Sequence, residues 1–192
     1  MAVRHLFAGS MIVTGLVLAL VPAAVPCRAD DESDDAAYVT FSDDHPAGEA
    51  RPDKALVYVV RPTKIGFAIK SFFLCDDAIL GINKGSSYFF AQVDPGRHLF
   101  WSKSENVDGL ELKVEAGKTY YIQQQVKMGA FRARTKLEVL DEAAGREALA
   151  KCKKYGAMTV KGRAKGQEIA RDHKKDALED VERRAKEATP GQ

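Results

Sequence analysis

Between residues 55 and 140 the sequence is a series of short apolar segments, and turn residues interrupt it about every eight to twelve positions. This spacing constrains the fold more than any other feature. In the clearest segment Leu110, Leu112 and Val114 alternate with charged residues, which is the period of two expected of a strand with one buried face. Many short strands joined by tight turns form a sandwich or a barrel. We therefore predict a mainly β fold for residues 54–141: a single antiparallel β-sandwich, or an open barrel, of seven to eight short strands.

The turns and the aromatic residues complete this prediction. The segment Asp94-Pro95-Gly96-Arg97 is typical of a type II turn, because proline fixes φ at the second position and glycine accepts the positive φ required at the third. Large apolar residues on different predicted strands are expected to face one interior. They are Tyr58, Phe89, Trp101, Leu112 and Ile122.

Helical patterns follow the strands. Residues 142–155 are predicted to form a helix that packs on the sandwich, with Asp141 as its N-cap and Gly156 as its terminator. Residues 156–192 are predicted to form a basic linker and a charged helix. The apolar stripe of that helix is thin, so we expect it to be mostly solvent-exposed and to make few contacts with the sandwich. The stretch 151–165 holds six bases and no acid, which suits either an anionic partner or a solvated tail.

Residues 1–29 have the layout of a secretory signal peptide. A short start with Arg4 precedes an uncharged apolar stretch, and Pro22, Pro26 and small residues follow it. We predict cleavage after Ala29 and a periplasmic or extracellular location. Residues 30–53 then lead the mature chain. They hold nine acids, one base and few large apolar residues, so we predict a flexible acidic leader.

Three alternatives remain open at this end of the chain. Cleavage after Ala23 also fits the pattern of small residues. An uncleaved stretch would anchor the protein in a membrane, since about 20 apolar residues span a bilayer, although two prolines disfavour a continuous helix there. Lipidation of Cys27 would anchor it too, but Pro26 stands where lipoprotein signals usually have Gly, Ala or Ser.

The sequence carries few signs of catalytic chemistry. It has no phosphate-binding glycine loop, no nucleophile elbow and no HExxH zinc motif. The histidines beyond the signal segment, His45, His98 and His173, are isolated from one another. We therefore predict no catalytic, cofactor-binding or metal-binding residues, no cofactor and no enzymatic activity. With 29 basic and 27 acidic residues, the chain also has no general attraction to nucleic acid.

Two cysteines remain after cleavage at Ala29. Cys75 ends a predicted strand and Cys152 lies in the first predicted helix. In an oxidising compartment such a pair can form a disulfide, and two buried free thiols are the alternative. The sequence leaves both open. It contains no CxxC motif, so nothing points to redox catalysis.

Residues 54–129 resemble a bacterial family, the domain-of-unknown-function family 2846. The resemblance rests on turn residues and apolar core residues at 55–62, 79–81, 85–89, 93–98, 110–114 and 116–122. It implies an exported or lipid-anchored bacterial protein with a small β-sandwich, and it implies no activity. The chain differs from that pattern in the residue before Cys27 and in its charged C-terminal helix.

These observations favour an exported protein that acts as a non-enzymatic binding or envelope-structural module. A membrane- or lipid-anchored accessory subunit of an envelope complex, docking through its C-terminal helix, is the alternative. A hydrolase with an unrecognised site is a remote one. The expected partners are envelope proteins or anionic envelope polymers.

The export prediction can be tested on the protein recovered from the cells that produce it. Its chain should begin at Asp30 and carry no lipid, because the apolar stretch ends in prolines and a small-residue cleavage site. Intact-mass spectrometry measures both properties. A chain that still begins at Met1, or a diacylglyceryl mass on Cys27, would contradict the prediction.

Overall fold

The computed structural model describes residues 37–128 and 133–188. The predicted signal peptide and its cleavage position at Ala29 lie outside these residues. None of the described helices combines the length and the apolar character needed to cross a membrane.

The described residues are mainly strand, which confirms the predicted fold class. In chain order the elements are β1 (Val39–Ser42), β2 (Ala55–Arg61), β3 (Ser71–Cys75), β4 (Ala78–Asn83), β5 (Ser87–Val93), β6 (Gly96–Lys103), β7 (Val107–Val114), β8 (Thr119–Met128), β9 (Ala133–Leu140), α1 (Glu142–Lys151), β10 (Lys154–Met158) and α2 (Val160–Ala188). They form a six-stranded sheet in the order β1-β10-β5-β2-β8-β9 and a four-stranded sheet in the order β4-β3-β6-β7.

Two features of the sheets differ from the prediction. The strands number ten among the described residues rather than seven to eight, because β1 and β10 extend one edge of the six-stranded sheet. The arrangement is also not purely antiparallel, since β2 pairs in parallel with β8 and β10 in parallel with β5. β1 lies within the predicted acidic leader, and β10 spans the end of the predicted helix 142–155 and the start of the predicted basic linker. β1 alternates Val39 and Phe41 with Thr40 and Ser42, but over only four residues, and β10 shows no such alternation.

An apolar core lies between the two sheets. Its members occupy alternate positions along their strands, as the period of two requires. They are Ala55, Val57, Val59, Phe73, Cys75, Phe89, Val93, Phe100, Val114, Ile122 and Leu137.

A second apolar cluster covers the outer face of the six-stranded sheet. There α1 packs Ala148 against Tyr58 and Tyr121, and the Asp141 carboxylate caps the helix by accepting from the Ala144 amide at 2.8 Å. The helix ends at Lys151 rather than near Tyr155. Gly156, the predicted terminator, instead lies within β10, because the chain turns into the sheet edge directly after Cys152.

α2 packs on the outer face of the four-stranded sheet, so the prediction that it makes few contacts with the sandwich is wrong, although most of its residues are exposed as expected. Its residues Ile169, Ala170 and Ala177 are buried against a cluster that contains Leu74 and Trp101. The stripe is thin because its residues are small, and small residues let the helix axis approach the sheet closely. This is most evident at Gly162 and Gly166. A Cβ on Gly166 would come within 2.5 Å of Ile79, and one on Gly162 would overlap the Tyr38 carbonyl oxygen.

The helices also explain why the predicted single interior is wrong. Phe89 and Ile122 lie between the sheets, Tyr58 lies beneath α1 and Trp101 beneath α2. Both faces of the central strands are covered, and alternation along a strand does not show which element packs on each face.

Charged side chains hold the C-terminal half of α2 against the sheet. The guanidinium of Arg184 pairs with the buried Asp108 carboxylate, which also accepts from the Leu137 amide at 2.6 Å. Asp180 accepts from the Gly109 amide at 3.1 Å. Such a pair is costly to break because one charge would stay buried without its partner.

The packing of α2 can be tested by a pair of substitutions on the same helix. Ile169→Ala should lower the free energy of unfolding by about 2–4 kcal/mol, since Ile169 is buried against the sheet. Leu178→Ala should lower it by less than about 1 kcal/mol, because Leu178 is half exposed. Denaturant titration measures both. Equal small losses would show that α2 does not pack on the sheet.

Candidate functional site

The interior between the sheets is apolar at one end and polar at the other. We call the second region the polar end. Its side chains continue the same inward-facing positions as the apolar core, and each is at most 3% exposed. They are Arg61, Ser71, Asn83, Ser87, Ser102, Gln124 and Thr135.

Strand register brings these residues together. Arg61 ends β2 and lies opposite Ser87 at the start of β5. Ser71 begins β3 and lies opposite Asn83 at the end of β4. The ends of four strands therefore place polar side chains at one edge of the interior.

Hydrogen bonds join the two sheets on both sides of the polar end. On one side the Ser87 hydroxyl donates to the Asn83 amide oxygen. On the other, Thr135 Oγ1 lies 3.5 Å from the Ser102 hydroxyl and 3.1 Å from the Ser104 hydroxyl. These two bridges hold the sheets in a fixed relation around the side chains between them.

Arg61 connects the interior to the loop above it. We call residues 62–70 the tip loop. The guanidinium donates to the carbonyl oxygens of Ile69 at 2.8 Å, Gly66 at 2.6 Å and Ile65 at 3.2 Å. Burial lowers the pKa of Arg61 to about 10, so the group stays charged at neutral pH. The turn before β5 adds a further tie, because the Ser86 amide donates to the Thr63 carbonyl oxygen at 3.0 Å.

The tip loop exposes two large apolar side chains. Phe67 is 70% exposed and Ile65 is 52% exposed. The loop contains Lys64 and Lys70 and no acidic residue. Lys70 Nζ lies 5.3 Å from the centre of the Tyr38 ring. Lys161, at the start of α2, lies 5.1 Å from the same ring.

A second constellation surrounds Asp76 in the turn between β3 and β4. One oxygen of its carboxylate lies 2.7 Å from His98 Nδ1, and the other accepts from the Leu99 amide at 3.0 Å. Its backbone carbonyl accepts from the Trp101 indole at 3.0 Å. Burial alone would raise the pKa of the Asp76 carboxyl, but the hydrogen bonds from His98 and Leu99 hold it below its ordinary value. Asp76 therefore ties this turn to β6.

Cys75, Asp76 and His98 place potential metal-ligating atoms within 4.8 Å of one another. The arrangement does not make an activated thiol. Burial, and to a smaller extent the neighbouring Asp76 carboxylate, raise the pKa of Cys75 to about 12. Reactive cysteines, by contrast, have a lowered pKa. Both ring nitrogens of His98 face oxygen acceptors, Asp76 and the Asp94 carbonyl.

The structure keeps the two cysteines apart. Cys75 lies in the core between the sheets and Cys152 in the outer cluster beneath α1. Both are buried free thiols, the second of the two states that the sequence left open.

The remaining histidines make other contacts. His45 stacks on the Tyr88 ring at 6.1 Å between ring centres. His173 Nδ1 lies 2.9 Å from an Asp176 oxygen on the same helix, α2.

The basic stretch 151–165 is divided between three elements. It spans the end of α1, all of β10 and the start of α2. Lys151 pairs with Glu147 and Lys165 with Glu168, each at 2.6 Å. The stretch therefore does not form one continuous cationic strip.

Comparison with known proteins shows where the chain belongs. Residues 51–136 match the family described as "Protein of unknown function (DUF2846)". A protein of Haemophilus influenzae strain Rd, described as "Uncharacterized protein", is 30% identical over 151 residues, which span 78% of this chain and 84% of that relative. No solved structure gives a significant match. The matched residues include β2 to β8 and the tip loop, and on both matches the chain belongs to the DUF2846 family.

Proposed function

We propose that this protein is an exported, non-enzymatic module that attaches to the anionic lipid surface of the bacterial envelope through its tip loop. The observation that carries the proposal is the exposure of Phe67 and Ile65 on a loop whose backbone is fixed from below. Most exposed apolar residues of a soluble protein are scattered singly. Here two large apolar side chains lie within three positions of each other on a constrained loop. A binding surface explains this feature.

The tip loop is suited to binding because it is ordered before contact. Arg61 holds three of its carbonyl oxygens, and Ser86 holds a fourth. A surface that is already ordered loses less conformational entropy when it binds than a flexible one does.

The charge of the loop itself favours an anionic surface, since it contains Lys64 and Lys70 and no acidic residue. Lys161 lies beside it, across the Tyr38 ring, whereas the groove between the loop and α2 is lined by both acidic and basic residues. A lysine near an anionic bilayer contributes about 1 kcal/mol. Burial of a Phe or Ile side chain contributes about 1.5–3 kcal/mol. Two apolar side chains and a few lysines would give reversible attachment to a bilayer.

The described part of α2 offers less for docking. Its apolar residues Ile169, Ala170 and Ala177 already contact the four-stranded sheet. A partner that used this face would first have to displace the sheet.

The attachment can be measured by sedimentation of the mature chain with vesicles of phosphatidylcholine, with and without phosphatidylglycerol. The wild-type chain should bind the anionic vesicles, and binding should weaken as salt rises because exposed charges are screened beyond ~8 Å at physiological salt. The double variant Ile65→Ala, Phe67→Ala should bind at least about tenfold more weakly, since it loses apolar area that enters the bilayer.

Leu178→Ala serves as the matched control, because it removes a half-exposed apolar side chain far along α2. Its binding should equal that of the wild type. Unchanged binding by the double variant, or no binding of the wild type to either vesicle, would refute the proposal.

A further inference from the structure

The polar end contains buried polar atoms that have no hydrogen-bond partner among the described residues. They are Arg61 Nε, Ser71 Oγ, Asn83 Nδ2 and both amide atoms of Gln124. The side chains that carry them are at most 1% exposed. An unpaired buried polar group costs about 1–3 kcal/mol, so several in one region call for a bound group that satisfies them.

The chemistry of these atoms identifies the group. Arg61 Nε, Asn83 Nδ2 and Gln124 Nε2 can only donate, and the Ser71 hydroxyl can donate as well. Only Gln124 Oε1 is restricted to accepting. Donors are therefore in excess.

The charge balance points the same way. Arg61 is a fully buried cation, and the partners of its guanidinium are neutral carbonyl oxygens. The pKa of Arg61 is lowered by burial, and no carboxylate contributes to the shift. A buried charge is costly unless an opposite charge or sufficient hydrogen bonds compensate it.

We propose that the polar end binds a small monovalent anion, chloride being the simplest, between Arg61, Ser71, Asn83 and Gln124. The tip loop and the two cross-sheet bridges border these side chains, and their nearly complete burial favours a small ion over a larger group. The anion neutralises Arg61 and stabilises the fold. This proposal is independent of lipid attachment, since it concerns the interior rather than the exposed side of the loop.

The first test measures the melting temperature of the mature chain as sodium chloride replaces sodium gluconate at constant ionic strength. Chloride that binds only the folded state should raise the melting temperature by several degrees between about 1 mM and about 100 mM. Gln124→Leu should abolish this dependence. It should not lower the melting temperature in gluconate, because it removes unpaired buried atoms.

Gln123→Leu is the matched control, since Gln123 lies next to Gln124 in β8 and points to the opposite face of the sheet. It should keep the full chloride dependence. Chloride dependence that is missing from the wild type, or that survives in Gln124→Leu, would overturn the proposal.

A crystal of the wild-type mature chain soaked in sodium bromide gives a second measurement that does not depend on a variant's folding. An anomalous bromide peak within contact of Arg61 Nε and the Gln124 amide is expected. Ordered water at that position, or bromide at the protein surface alone, which would be an adventitious ion only, would overturn the proposal.

Discussion

The structure depends on the burial of both faces of its central strands. Every residue of β2 is buried, because one face of the six-stranded sheet meets the other sheet and the opposite face meets α1 and the segment that precedes β2. The four-stranded sheet repeats the arrangement, with Trp101 beneath α2. The described chain is therefore layered as helix, sheet, sheet and helix, and loss of either helix would expose an apolar sheet face to water.

The strands and turns could be predicted from the sequence because their determinants are local. Alternation located β7 and β8, and turn residues such as Gly96 and Gly117, which both have positive φ, marked where strands end. The layers could not be predicted in the same way. A continuous apolar run such as 55–60 indicates that both faces are buried, but it does not identify what covers each face. β10 was missed because its stability comes from pairing with β1 and β5, and its own sequence, Lys154–Met158, has no strand pattern.

The C-terminal helix α2 shows that the width of an apolar stripe does not by itself indicate solvent exposure. The apolar stripe of α2 is thin, and thinness normally indicates a solvent-exposed helix. Here four of the five buried residues of the helix are Gly or Ala, because the helix lies very close to its neighbours, with the Gly162 and Gly166 positions against Tyr38 and Ile79. The spacing of these glycines was visible in the sequence. The reason for this spacing becomes clear only from the surface that the glycines face.

The polar end could not be predicted from the sequence for a related reason. Arg61 and Asn83 end their strands, where a polar residue usually marks the return of the chain to solvent, and Gln124 lies in the middle of β8 within a polar run of three glutamines. Their inward direction follows from counting alternate positions along each strand, and that count requires the register of both sheets. The His98 and Asp76 pair was equally invisible, because 22 residues separate them in sequence.

Arg61 links the interior of the protein to its surface. Its guanidinium donates three hydrogen bonds to carbonyl oxygens of the tip loop, while its Nε is buried and has no partner among the described residues. The arrangement of the loop and the charge balance of the interior are thus properties of one side chain. Removing Arg61 would disturb both at once, so its loss could not separate lipid attachment from anion binding. Phe67 lies in the tip loop and Gln124 in the interior, on opposite sides of Arg61. Substitution of either residue therefore affects only one of the two proposed sites.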